Sequence, residues 1–233
     1  MTDGALRGGD KLPTEAELVA DYGVSRIVVR QAVDILRNEG LVVSQRGSGT
    51  FVREQQERTR LVLGDLYAYR ASSSPLAAVA RAAGMSPEWE YQTRRTTAPQ
   101  AIAERLRIAA GDEVMRTNYR FFADDQPVML STSYEPLAVT GGTPIEQPEA
   151  SPTTGVVGRM DLIGVHITHV VEDMQARAPR PYETEALQVP IGVPVLYVER
   201  TYFADELPVE TAEIVVSSDR YVFSYAVPIP ART

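Results

Sequence analysis

The sequence predicts an α+β chain in two parts. A winged helix-turn-helix is expected over residues 1–53. An antiparallel-sheet domain with an internal repeat is expected over 62–233, with a polar linker at 54–61. Three observations predict this. Helix start and stop signals recur closely between Thr14 and Gly40. A glycine-punctuated hairpin pattern follows over Leu41–Val52. The sequence then matches itself at an offset of 81 residues.

The first helix opens on Thr14 and Glu17, a T-x-x-E capping box in which each partner satisfies the other's backbone N–H. Gly23 ends it, because a left-handed residue is needed just past a helix C-terminus. Ser25 is a good N-cap for a second helix, and Gly40 is its natural stop. Within that helix Val29, Ala32, Val33 and Leu36 follow the i, i+3, i+4, i+7 rule and are expected to face the core. The opposite face holds Arg26, Ile27, Arg30, Gln31 and Arg37, with Asp34 among them. Two arginines four apart suit phosphate or guanine contacts, and Ile27 suits a thymine methyl. The same arginines also read as a solvated helix face. The hairpin tilts the choice. Strands at Leu41–Ser44 and Thr50–Val52 flank Arg46-Gly47-Ser48-Gly49, where glycines let the backbone approach a phosphate or a minor groove. Helix, turn, helix and wing together form a device that sets one helix in the DNA major groove.

Residues 10–52 closely resemble the DNA-binding domain of the GntR family of bacterial transcription regulators. Leu12-Pro13-Thr14-Glu15, Val24-Ser25-Arg26, Val29-Arg30-Gln31-Ala32 and Gly47-Ser48-Gly49-Thr50-Phe51-Val52 carry the resemblance. It implies that Ser25, Arg26, Arg30, Arg46 and Gly47 touch DNA. The full candidate set is Lys11, Thr14, Ser25, Arg26, Ile27, Arg30, Gln31, Arg46, Gly47 and Ser48. Two positions depart from the family pattern. Ala16 stands where an arginine is frequent, and Ile27 where a small polar residue is common. Relatives carry an amphipathic helix of about fifteen residues ahead of the motif. Here Gly4, Gly8 and Gly9 argue against a helix in Met1–Asp10, so that first helix is expected to be missing.

Net charge is −8, yet residues 1–60 are neutral and the whole excess lies in 61–233. Over 25–53 five arginines stand against Asp34 and Glu39. An acidic body with a basic end permits DNA binding and helps to aim it. There is no cysteine, which excludes disulfides and thiol chemistry. No apolar run has the length of a membrane span and no signal peptide is evident, so a cytoplasmic protein is expected.

Arg53–Arg60 is polar and without periodicity, as a linker would be. Beyond it, Tyr119–Val128 matches Arg200–Val209, and Leu106, Gly111 and Val114 match Leu187, Gly192 and Val195. Each copy predicts the same series. An extended segment comes first (Tyr91–Thr97; Ile167–Ala176), then a short helix (Gln100–Leu106; Pro181–Leu187). A strand (Glu113–Phe122; Pro194–Phe203), an acidic turn and a second strand (Pro127–Tyr134; Pro208–Val216) follow. Residues 62–230 resemble the UTRA effector domain of the HutC subfamily of GntR regulators. Gly84-Met85, Ala98-Pro99, Gly111-Asp112, Ala123-Asp124, Tyr134-Glu135-Pro136, Pro208-Val209-Glu210 and Asp219-Arg220-Tyr221 are among the residues that carry it. That resemblance implies a chorismate-lyase-like fold, a small-molecule pocket between the two halves, and a homodimer joined through this domain.

Candidate effector-binding residues are Ser73, Ser74, Tyr119, Arg120, Ser131, Thr154 and Glu210, since a pocket for a small anion needs convergent donors. Ser131 and Glu210 occupy comparable places, four and two residues past their prolines. Each candidate also reads as an ordinary cap, loop or solvated strand residue. UTRA regulators of amino-sugar phosphates carry two arginines on the strand entering the first hairpin and a glutamate on the next. Those positions are Tyr119, Phe121 and Ser131 here, and only Glu210 keeps the pattern. Arg120 is one residue out of step and should point to the other face of its strand. An apolar or aromatic effector is therefore expected in place of a sugar phosphate.

An enzyme is the rival class, because the fold is named after a lyase. His166 and His169 are the only histidines, and in a strand over Val165–Glu172 they would face opposite sides. No nucleophile motif or phosphate loop is present. No catalytic residue, metal or cofactor is expected. The remaining alternative is a constitutive DNA-binding protein without effector. The expected partners are a pseudo-palindromic operator, a small-molecule effector and a second copy of the chain.

Overall fold

The computed structural model describes residues 6–45, 47–54, 58–62, 77, 80–81, 84–153, 155–190 and 192–225. The chain opens with a turn at Leu6–Asp10, where the Arg7 N–H donates to Asp10 Oδ2 at 2.6 Å. Helix α1 (Glu15–Tyr22) then starts on the expected capping box. The Glu17 N–H donates to Thr14 Oγ1 (3.3 Å), and the Thr14 N–H to Glu17 Oε2 (2.7 Å). Gly23 closes α1 at φ 64°. Ser25 caps α2 (Arg26–Asn38), and Gly40 (φ 68°) follows its end. The wing is β1 (Val42–Gln45) paired antiparallel with β2 (Gly49–Val52).

The core of this head is small. Leu12, Val42 and Val52 are buried together, with Leu6 and Leu36 against them. Val29 is buried on α2, but Val33 and Leu36 are half-buried and Ala32 is exposed. The expected buried stripe is instead one wall of an apolar groove of ≈ 460 Å³, bounded by Leu12, Leu18, Tyr22, Val28, Val29 and Leu36. The periodicity marks the right face, yet within the described residues only Val29 is fully covered.

The larger part is built on a six-stranded antiparallel sheet of order β4-β5-β6-β9-β8-β7. Its strands are β4 (Pro87–Thr97), β5 (Glu113–Ala123), β6 (Gln126–Pro136), β7 (His169–Arg177), β8 (Val195–Ala204) and β9 (Leu207–Ser217). The order is a palindrome of the two sequence copies, so the pairing of β6 with β9 is the seam between halves. Asp124 (φ 48°), Asp125 (φ 61°) and Asp205 (φ 52°) adopt the left-handed geometry that two-residue hairpins require. Helix α3 (Gln100–Leu106) and its counterpart α6 (Pro181–Leu187) pack across the seam, onto β9 and β6 respectively. Their buried residues Ile102, Leu106 and Leu187 insulate one face of the sheet.

The other face is covered differently. Between the copies lie α4 (Leu137–Thr140), a short 3₁₀ turn (Pro148–Ala150) and α5 (Val156–Leu162). Met160 of α5 packs with Ile145, Ile167, Tyr202 and Val209. Two further strands, β3 (Thr59–Val62) and β10 (Tyr221–Ser224), pair in parallel, with Leu61 and Tyr221 buried against the sheet. Thus β3 begins inside the segment expected to be an unstructured linker, because β10 supplies its partner from the far end of the chain. His166 lies outside β7, which starts at His169. It is exposed and bonded to Asp161 at 2.7 Å, while His169 stacks on Phe203. The expected histidine-bearing strand is therefore shorter than the β-branched run around it suggests.

Candidate nucleic-acid interface and effector cavity

On α2, Arg26, Ile27, Arg30 and Gln31 are all exposed, Ile27 at 69%. The two arginines are not free in solution. Arg26 Nε lies 2.8 Å and Arg30 Nε 3.1 Å from Glu15 Oε2. Hydrogen bonds from Arg26 and then Arg30 hold the Glu15 carboxyl below its ordinary pKa. One carboxylate on α1 thus aligns two guanidinium groups on the outward face of α2. Glu15 was not identified from sequence, although its place in the Leu-Pro-Thr-Glu motif put it at the first turn of α1. Arg37 points elsewhere, bonding Asp34 and donating to Ser44 Oγ (2.8 Å), so it ties α2 to β1.

The other candidates on this side are also at the surface. Thr14 and Ser25 are exposed and spend their hydroxyls on helix caps. Lys11 bridges to Phe51 and places its Nζ 6.0 Å from that ring, beside Gly49. Gly47 (φ 77°) and Ser48 form the exposed wing tip. Arg46 lies outside the described residues. The outward face of α2 and the wing tip are thus both at the surface, the first carrying Ile27 among its polar side chains.

In the sheet domain a cavity of ≈ 70 Å³ lies between the seam and α5. Residues of both halves line it, from Trp89, Tyr119, Phe121, Ser131 and Ser133 to Arg200, Tyr202, Glu210 and Ile214. Tyr119 stacks on Phe121 at 5.4 Å, and Trp89 lies 6.4 Å from the same ring. Trp89 Nε1 donates to Glu149 Oε2 at 2.9 Å. Burial, reinforced by Glu149, drives the Tyr119 phenol well above its usual pKa, so it is a proton donor at every ordinary pH. Arg159 of α5 is buried and forks onto Glu135 with two hydrogen bonds. Burial opposes that charge, but Glu135 more than compensates and raises the Arg159 pKa.

Glu210 is the unusual member. It is fully buried, and Arg200 Nη2 lies 3.4 Å from its Oε1. Among the described residues its Oε2 has no hydrogen-bond partner. Burial pushes its pKa up to about 7, against the pull of Arg200 and with the push of Glu135.

Of the effector candidates, Tyr119, Ser131 and Glu210 meet in this cavity. Arg120 does not. It alternates with Tyr119 along β5 and lies over Phe122, 3.9 Å from Glu90, in a wider groove of ≈ 490 Å³ on the opposite face. Ser73, Ser74 and Thr154 lie outside the described residues. Sequence reasoning did not find Trp89, Glu149, Arg159 or Arg200. Arg200 alone had a signal, as the mate of Tyr119 in the internal repeat. Among the described residues no cluster of histidines and carboxylates has the makings of a metal site.

Two family models match the chain. That of the gntR family of bacterial regulatory proteins covers residues 1–52, and that of the UTRA domain covers 82–222. The chain belongs to the GntR family. It is 32% identical over 226 residues to the HTH-type transcriptional regulator Rv0792c of Mycobacterium tuberculosis, spanning 96% of this chain and 80% of that protein. It is 26% identical to the HTH-type transcriptional repressor NagR of Bacillus subtilis, spanning 96% and 88%. The crystal structure of a candidate GntR-family transcriptional regulator, 41% identical, superposes with a TM-score of 0.78 over 98% of this chain and 93% of that one. This GntR-family protein is a DNA-binding transcription regulator with a UTRA domain for a small-molecule effector, not an enzyme. No helix among its described residues is long and apolar enough to cross a membrane.

Proposed function

We propose that two copies of this regulator pair through residues 62–233 and set their α2 helices on a pseudo-palindromic operator in the cytoplasm. Residues 1–53 are the DNA-binding part and 54–61 the connection. Transcription is repressed in the DNA-bound state, as the names of NagR and of the fructoselysine utilization repressor of Escherichia coli suggest for those relatives. A small molecule in the cavity beside Glu210 favours one spacing of the two heads and shifts the population between bound and released states.

The observation that carries this reading is the pairing of Arg26 and Arg30 on Glu15. It presents two aligned cations and Ile27 on the outward face of α2. Selection of bound sequences from random DNA by the full chain should enrich an inverted repeat. Half-site centres should lie about one or more helical turns apart, with two chains per site by sedimentation. Enrichment of a single half-site bound by one chain would overturn the paired reading.

A further inference from the structure

The cavity between the seam and α5 has the chemistry of an amine receptor. The carboxylates that line it are Glu149 and Glu210, its arginines are Arg159 and Arg200, and Glu135 stands behind Arg159. Glu135 accepts two hydrogen bonds from the Arg159 Nη atoms, the Arg159 Nε has no partner among the described residues, and Glu149 takes the Trp89 indole N–H. Arg200 meets Glu210 through one long contact to Oε1. What remains directed at the space is a fully buried carboxylate oxygen, Glu210 Oε2, without a partner among the described residues. A buried acceptor left unmade costs free energy, and a buried anion more so, until a donor or a cation arrives. A phosphate or carboxylate entering here would lie against the Glu149 and Glu210 carboxylates, while the Arg159 Nη atoms are already held by Glu135. The walls beside Glu210 are aromatic, and the rings of Trp89, Tyr119 and Phe121 offer π faces that favour an ammonium and an apolar body alike.

We propose that the effector of this regulator is a small organic amine, bound as its ammonium on Glu210 Oε2 with an apolar or aromatic body against Trp89, Tyr119 and Phe121. The assignment rests on the effector reading above and names the ligand class of the same cavity.

Trp89 is the only tryptophan of the chain, so indole emission reports this cavity alone. The test titrates the full chain at pH 8 with four probes that share a benzyl or phenyl body. They are benzylamine, benzyl alcohol, benzoate and phenyl phosphate. Benzylamine should give a saturable change in Trp89 emission, at least tenfold tighter than benzyl alcohol. The two anions should give none. Glu210→Gln should weaken benzylamine at least tenfold and bring it level with benzyl alcohol. Ser133→Leu, which fills the cavity without touching the carboxylate, should abolish the signal in a chain of unchanged circular dichroism. Saturation by benzoate or phenyl phosphate, or benzylamine affinity undiminished in Glu210→Gln, would overturn the amine assignment. Parallel gel shifts separate the two readings. An anion that moves both Trp89 emission and operator affinity sinks the amine class and leaves the regulatory reading standing. Benzylamine occupancy with operator affinity unchanged at saturation upholds the amine chemistry and counts against the regulatory reading.

Discussion

Glu15 and Glu210 show how differently one residue type behaves in two settings. Glu15 is solvated and bonded to two arginines, so it stays ionised and aligns them. Replacing Arg30 by Ala removes one of those cations. Operator affinity should fall by about 1–3 kcal/mol and the salt dependence should become shallower. Gel shifts across a salt series measure both, and an unchanged slope would exclude a phosphate contact. Glu210 is buried beside Arg200, Glu135 and Arg159, and its pKa of about 7 lies above the ordinary carboxyl value of 4.5. The folded state therefore holds a proton that the unfolded chain has lost between these values, and this contribution to stability fades as pH rises through that window. Glu210→Gln should accordingly stabilise the ligand-free protein above pH 7, by on the order of 2 kcal/mol. The gain should vanish near pH 5. Melting curves from pH 5 to 8 test this, and a gain independent of pH would show that the Glu210 pKa is not raised in the folded state.

At the level of elements, much of the chain was legible because its signals are local. The capping box at Thr14, the glycine at 23 and the serine cap at 25 each act within one helical turn, and α1 and α2 begin where they indicate. The repeat likewise placed α3 and α6 at the residues observed, since both copies solve the same hairpin-and-helix problem. Tyr119, Ser131 and Glu210 could be named from their places in the UTRA pattern and the internal repeat, and strand alternation set Arg120 on the other face. What stayed hidden depends on contacts between distant residues. Arg159 meets Glu135 across 24 positions, and Trp89 meets Glu149 across 60. No periodicity or cap encodes such pairs, and α5 itself is too short to carry a clear pattern. The exposed face of α2 makes its own prediction. Ile27→Ser should change which operator bases are selected at the position that Ile27 faces while leaving overall affinity within about tenfold. An identical selected sequence would remove Ile27 from base readout.

The whole molecule adds a contact between the DNA-binding head and the sheet domain. Gly40, just past α2, lies against Gly192 in the turn before β8. A Cβ on Gly192 would overlap the Gly40 nitrogen and reach within 2.5 Å of the Asn38 carbonyl oxygen and 2.7 Å of that of Arg37. All three are backbone atoms, so no side chain can yield. Gly192 also sits at φ 84°, where other residues are strained. Gly192→Ala should separate the head from the sheet domain, seen as a larger radius of gyration in solution scattering. Arg53, paired with Asp219 at 2.6 Å, is a second tie on the same side. The variant should still bind operator DNA but respond to effector over a smaller range. Unchanged scattering and response would mean that this seat is not used.

The parallel pairing of β3 with β10 has a mechanical consequence. The segment leaving the wing and the segment near the chain's far end run in the same direction, side by side, with Arg60 Nη1 clasping Ser224 Oγ at 2.8 Å. Tugging on either one loads every rung of the ladder together instead of peeling rungs one at a time. A cargo fused behind Ser224 would thus hang from the same rope that tethers the reading head, and its drag would be felt there.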